Sequence, residues 1–307
     1  MNKTRINIKE LKSEGGDVVK ELAEFLEKKT GSKIETETDE LLIKTEQEEM
    51  LPRVYLRTLL RKFLHQKELK NYFRVIGGNT AFAVSLANSE AAANSDESLL
   101  FPHLGGQVAN TLPYPLGNTM SGGKHTRGKS PDIQEFLSLP HGAESFAEAA
   151  TANVQVHERI SDALKKKDKL FSGGKSDEGA WVANVLNQDA FEILVKTCEE
   201  VGNELGFECG AGIDVASSSL WNPKDKAYVY EREGKKLDTG EQTEFILDAI
   251  KKYRLVYVED PLREEDFEGF SEITKKVKNC LICGDDLFAT NHERLSRGVR
   301  IGAANAA

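Results

Sequence analysis

Three carboxylate positions stand out because each ends an apolar run. "GAGIDVASS" places Asp214 after a short apolar approach, "YRLVYVEDP" places Glu259 and Asp260, and "CLICGDD" places Asp285 and Asp286. Carboxylates gathered together repel one another and call for a cation, and hard oxygen donors suit Mg²⁺. Acids are common in the loops after strands, so one such position carries little; three in chain order favour a metal site. Two Gly-flanked loops lie upstream. "SGGKHTRGKS" carries His125, followed by Gln134 and Glu135, and "GGKSDEGAWVAN" carries Asp177 and Glu178. Two loop carboxylates beside a metal can divide acid and base roles. Taken singly, each is an ordinary solvated loop acid. "GGKHTRGKS" also matches a phosphate-binding loop loosely, but "NTLPYPLGNTM" leads into it and no apolar strand is expected there, so that reading is rejected.

The elements that must position these groups alternate. Helical periodicity is expected near 79–94, 143–167, 188–205, 241–252, 263–277 and 290–298, with strands near 210–216, 254–259 and 280–285. Strands separated by helices argue for parallel βα units. In a βα barrel the C-terminal strand ends converge on one face, where active sites are built.

Bulk properties bound the rest. The 307 residues allow two domains, and 39% hydrophobic content can fill real cores. No apolar run approaches the ~18 residues of a membrane span, and "MNKTRINIKELKSEGG" has no signal-peptide core, so no membrane partner is expected. Four cysteines are too sparse for a disulfide framework, and a reducing cytoplasm fits them best. Cys280 and Cys283 have CxxC spacing but lie in an apolar run, which favours buried thiols over a metal or redox pair. Residues 1–76 carry a net +2 within a whole of −9, so the remainder carries −11. A mildly basic head on an acidic body suggests two units with different partners.

In the head, a helix over "GDVVKELAEFLEKKTG", a hairpin over "SKIETETDELLIKTEQ" and a helix after Pro52 are expected. Arg53, Arg57 and Arg61 recur every fourth residue and form one stripe. Seven Lys/Arg against one acid between 53 and 74, interleaved with Tyr55, Tyr72 and Phe73, fit nucleic acid; a solvated helix face fits equally. The order helix, hairpin, "LPRVYLRTLLRKFLHQKELKNYFRVI" resembles the ribosomal L22e family over about residues 5–76. The resemblance implies rRNA contact through Arg53, Arg57, Arg61, Lys62 and Lys70. A final strand of that family is not expected, because "GGNTAFAVSLANSEAAANS" reads as a helix.

The remainder resembles the enolase family, the phosphopyruvate hydratases. "SGGKHTRGKSPDIQEFLSLPHGAESF", "SDEGAWVAN", "GIDVASS", "VYVEDPLREEDFEGF" and "GDDLFATN" are similar to five motifs of that family in order, and "GGNTAFAVSLANSEAAA" to a helix late in its N-terminal domain. The resemblance implies an α/β fold: a partial enolase-type βα barrel preceded by a small α+β L22e-like domain. The expected domains are 1–76 L22e-like, 77–140 a remnant of the enolase N-terminal domain and crossover, and 141–307 an incomplete barrel.

It also implies a cytoplasmic, glycolytic lyase acting on 2-phosphoglycerate with Mg²⁺. Asp214, Glu259 and Asp285 would be the metal ligands. Glu178 would be the general acid with Glu135 as its partner, and His125 and Gln134 would contact substrate. Enolase-superfamily sites are an established instance of a Lys or His base working beside metal ions. The family's base lysine lies on a later strand, and this sequence has no lysine after Lys278. The chain is therefore expected to be catalytically incomplete by itself, needing a complementing C-terminal enolase fragment; enolases also form homo-oligomers. Ala180 and Trp181 replace the family's Gly-Phe. The competing expectation is an L22e-like RNA-binding protein with a noncatalytic enolase-like body.

Overall fold

The hairpin expected in the head forms, and a strand from the very start of the chain joins it. The structure is a computed structural model that describes residues 2–9, 11–14, 16–45, 53–67, 69, 78–106, 108–126 and 128–307. It divides into two compact units, Met1–Asn110 and Thr111–Ala307. The expected segment 77–140 spans that division.

In the first unit, β1 (Asn2–Asn7), β2 (Lys33–Thr36) and β3 (Glu40–Thr45) form an antiparallel sheet in the order β1-β3-β2. "NKTRIN" has one apolar residue and no alternation, so β1 gave no signal in the sequence. Helix α1 (Gly16–Thr30) buries Val19, Leu22 and Leu26 at helical spacing, and Gly31 comes after it at φ +66°. Helix α2 (Arg53–Gln66) adds Leu59, Phe63 and Leu64 to the same core, with the Phe25 and Phe63 rings 5.6 Å apart. Helices α3 (Gly78–Ser95) and α4 (Leu100–Gly105) complete the unit, and α3 leaves Phe82, Val84 and Leu86 exposed.

The second unit is built on a five-stranded sheet of β4 (Gly117–Ser121), β5 (Glu135–Leu139), β6 (Gly210–Asp214), β10 (Tyr257–Glu259) and β11 (Leu281–Cys283), in the order β11-β10-β6-β5-β4. The three strands expected from the sequence pair in parallel, as βα units require. β4 and β5 were not expected, and they run antiparallel. β5, "EFLSL", is buried on both faces and so lacks the alternation that marks a strand. A strand does feed the Gly-rich loop, but β4, "GNTMS", is mostly polar, so no apolar strand leads into it, as expected. The loop then makes a three-residue turn at Gly123–His125 and leads into β5, not into the helix a phosphate-binding loop needs.

Helices α5 (Phe146–Lys167), α6 (Asn187–Leu205), α7 (Thr239–Tyr253), α8 (Phe267–Lys276) and α9 (His292–Ile301) connect the strands. Their ends are encoded locally. Ser145, Asp238, Asp266 and Asn291 accept first-turn N–H groups, Asp238 within a capping box with Glu241, and Gly206 and Gly302 close α6 and α9 in the left-handed region. A small sheet, β7 (Trp221–Asn222), β8 (Ala227–Tyr230) and β9 (Lys235–Leu237), stands between β6 and α7. Among the described residues the main sheet stays open. Its edges carry single parallel bridges, Met120 to Trp181 and Cys283 to Ala306.

The loop bearing His125 is tied down from several sides. The buried Asp132 carboxylate accepts the Arg232 and Glu233 N–H groups at 3.0 and 3.2 Å. The Ile133 N–H donates to Asn187 Oδ1 at 3.1 Å. Gly122 makes the close approach possible, because a Cβ there would collide with the Pro131 and Ile133 carbonyl oxygens. Gly122→Ala should therefore cost about 1–3 kcal/mol by overpacking. Gly174→Ala, where a Cβ meets nothing within 4 Å, should leave stability within about 0.5 kcal/mol. Urea unfolding of the two variants checks this.

Candidate active site

One end of the main sheet collects the acids. Glu135 opens β5, Asp214 closes β6 and Glu259 closes β10. Register sets Asp214 opposite both Glu135 and Glu259. Because β5 runs antiparallel, its first residue shares the end where β6 and β10 finish. Asp260 comes next at φ +40°, in the left-handed region. Its buried carboxylate turns back to accept the Asp286 N–H at 2.7 Å. That bond clamps the turn after β10 to the turn after β11.

Two ligand-like clusters result. Donor atoms of Asp214, Glu259 and Asp260 lie within 4.8 Å of one another, as do those of His125, Glu135 and Glu178. Asp285 is exposed and lies outside the first set, yet its charge disfavours ionisation of Glu259. Oxygen-only donors crowded at a strand end fit a hard divalent cation. Gln134 donates to Asp214 Oδ2 at 2.9 Å and the Ala216 N–H to Oδ1 at 2.8 Å, which fixes that carboxylate. Tyr257, which sequence reasoning passed over, donates its hydroxyl to Glu259 Oε2 at 2.6 Å. Its position two residues before Glu259 on a strand, hence on the same face, was the available signal.

Glu178 is brought in by the second Gly-rich loop. Trp181 pins that loop: its N–H donates to Thr119 O at 3.0 Å, and its carbonyl accepts from Ser121 at 2.9 Å. The indole N–H donates to His157 O at 2.7 Å, and the ring stacks on His157 at 4.6 Å. Asn118, also unanticipated, donates to Glu178 Oε2 at 2.9 Å. His125 Nδ1 sits 3.0 Å from Asp177 and its Nε2 3.7 Å from Glu135. His125, Gln134, Glu135, Glu178, Asp214 and Glu259 thus converge. Of the head's basic residues, Arg61 and Lys62 are exposed on α2, only the backbone is described for Arg53 and Arg57, and Lys70 lies outside the described residues.

The electrostatics arise from crowding. Burial, then a hydrogen bond with Glu178, pushes Glu135 up to about 9. Glu178 is held low, first by the bond from Glu135. Burial thus favours the protonated form of Glu135, while its hydrogen bond to Glu178 favours the ionised form of Glu178. Burial likewise lifts Asp214 to about 7, with Glu259's charge adding to it, and lifts Asp260 to about 8. Cys280 and Cys283 are buried in and beside β11, and burial raises both thiols.

Raised folded-state values give a definite sign. The stabilisation is complete below the unfolded value of about 4 and is lost as pH rises through the folded values. Metal-free melting should therefore show a component that declines between about pH 5 and about pH 9, and Asp214→Asn should flatten it. A divalent cation should raise the melting temperature more at about pH 8 than at about pH 5, because binding displaces protons. Equal shifts at both pH values would count against the cluster as a cation site.

A family model described as "Enolase, C-terminal TIM barrel domain" matches residues 109–307, and one described as "Ribosomal L22e protein family" matches residues 16–97. The second match runs into α3, beyond the expected end at residue 76. Proteins named enolase are similar over most of this chain. The one from Methanosphaera stadtmanae is 51% identical over 234 residues, covering 76% of this chain and 56% of its own length. That from Methanothermobacter thermautotrophicus is 51% identical over 232 residues, covering 75% and 56%. That from Pyrobaculum aerophilum is 49% identical over 232 residues, covering 76% and 55%. The chain thus spans a little over half the length of these relatives.

Proposed function

The chain belongs to the enolase family, and on that premise we propose that its acidic strand ends serve Mg²⁺-dependent dehydration of 2-phosphoglycerate to phosphoenolpyruvate. The observation that carries this reading is the convergence of Glu135 and Glu178 with the Asp214–Glu259–Asp260 cluster at one end of the sheet. Asp214, Glu259 and Asp285 would hold the ion, with Asp260 bracing the turns between them. The ion supplies positive charge to offset what develops on the substrate carboxylate as the C2 proton leaves.

The chain's own groups do the rest. Glu178 delivers a proton to the departing 3-hydroxyl, so that water leaves as the C2–C3 double bond forms. Burial favours the protonated form of Glu135, which would pass a proton to Glu178 across the contact between the two carboxyls. Asn118 and the Trp181-pinned loop hold Glu178 for that transfer. His125 and Gln134 face the same space and would contact substrate. The base is not assigned to a residue of this chain; the partners proposed for it are a complementing C-terminal enolase fragment or a second copy of the chain. The cytoplasm is the expected compartment; among the described residues no helix is long and apolar enough to cross a membrane. In domain terms, 1–76 would be the L22e-like unit, 77–140 an enolase N-terminal remnant and 141–307 the partial barrel.

Phosphoenolpyruvate formation should be followed with Mg²⁺, using the chain mixed with the separately produced C-terminal segment of a relative. Glu178→Gln should lower turnover by about 10²–10⁴-fold while C2 proton exchange with solvent persists. Unchanged turnover in that variant would remove Glu178 from its role.

The second reading concerns the head, and the L22e match over residues 16–97 favours it. Arg61 and Lys62, exposed on α2, would meet RNA phosphates. The full chain should bind a structured rRNA fragment with an affinity that falls steeply with salt. Arg61→Glu with Lys62→Glu should weaken binding and lower the salt slope by about 1–2. Salt-insensitive binding would remove this reading.

A further inference from the structure

Away from the carboxylates, at the end of the sheet where β6 begins, two cysteines meet. Cys198 lies in α6, and Cys209 lies just before Gly210, the first residue of β6. Residues 198 and 202 are one helical turn apart and share a face. Gly202 leaves room there: a Cβ built on it would lie 3.2 Å from the Cys209 nitrogen and 3.5 Å from the Cys209 Cβ. Cys209 therefore packs against the last turns of α6, on the face that carries Cys198 one turn earlier, and each thiol perturbs the other's ionisation. The chain returns so tightly because Gly206 closes α6 in the left-handed region.

The two thiols differ in access. Cys198 is 1% exposed and sits in the core, whereas Cys209 is half-buried. Both line a cleft of about 940 Å³, with Glu199, Glu208 and His141 on its walls. Cys280 and Cys283 are each buried and neither lines that cleft.

We propose that Cys198 and Cys209 form an oxidisable dithiol, which a small disulfide entering this cleft converts to an intramolecular disulfide joining α6 to the start of β6. The steps balance. The Cys209 thiolate attacks one sulfur of R–S–S–R, forming a Cys209–S–S–R mixed disulfide and releasing RS⁻. Cys198 then gives up its proton to that thiolate and attacks the Cys209 sulfur, expelling the second RS⁻. Two protein thiols are oxidised and one small disulfide is reduced to two thiols. The division of labour matches the environment. Cys209 is the accessible thiol, and the neighbouring Cys198 thiol lowers its pKa. Cys198, raised by the Cys209 thiol and by burial, is the resolving thiol. The carboxylates of Glu199 and Glu208 favour a cationic reagent over an anionic one.

The test uses the full chain, folded and free of reductant, with cystamine as the small disulfide. After the remaining thiols are trapped, peptide mapping should show Cys198 linked to Cys209, with Cys280 and Cys283 still free. Oxidation should raise the melting temperature, and a thiol reductant should reverse the shift. In Cys198→Ala the reaction should stop at the Cys209–cystamine mixed disulfide, and Cys209→Ala should abolish it; circular dichroism checks that both variants fold. A stable mixed disulfide on Cys209 in the unaltered chain would overturn the proposal. So would a linkage formed only in denaturant. None of these readouts depends on the metal site or on enolase turnover.

Discussion

Mutual repulsion among partly buried carboxylates governs the second unit. Glu135, Asp214, Glu259 and Asp260 are drawn to one sheet end by backbone pairing, and water that would solvate them is largely excluded. Desolvation raises three of these four to values near neutrality or above, and lifts Glu259 as well. Taking such charges out of water is costly unless a proton or cation compensates. The metal-free protein answers with protons. The same crowding of oxygen donors suits a hard divalent cation.

Much of the surrounding structure holds those groups against that repulsion. Gln134 and the Ala216 N–H fix Asp214, and Tyr257 fixes Glu259. Asp260 accepts N–H groups from the next strand's turn. Asp132 anchors the His125 loop to the β8–β9 turn. Trp181 anchors the Glu178 loop to β4 and α5. Apart from Asp260, itself one of the clustered acids, these restraints come from groups around the acidic cluster, so removing one would loosen its geometry while the carboxylates remain.

The opposite end of the sheet has a different character. There α6 returns to β6 through Gly202 and Gly206, and space rather than charge is the constraint. The first unit rests on another principle again. A short antiparallel sheet and two amphipathic helices share an apolar core, leaving Arg61 and Lys62 exposed on α2.

The sequence alone determined the order of motifs, the three parallel strands and most helices, because apolar periods and caps are local. It also marked Asp214, Glu259, Asp285, Glu135 and Glu178 by type and position. It did not determine β4 and β5, whose burial on both faces erases alternation, or β1, which has almost no apolar residue. Nor could it show that Glu135, at the beginning of an antiparallel strand, reaches the end where β6 and β10 finish. Only tertiary structure decided which of Glu135 and Glu178 is the more buried, and so which carboxyl is pushed toward its protonated form. It alone turned Asp260 inward to brace two turns. It alone placed Cys209 over Cys198, because a glycine one helical turn away left the space.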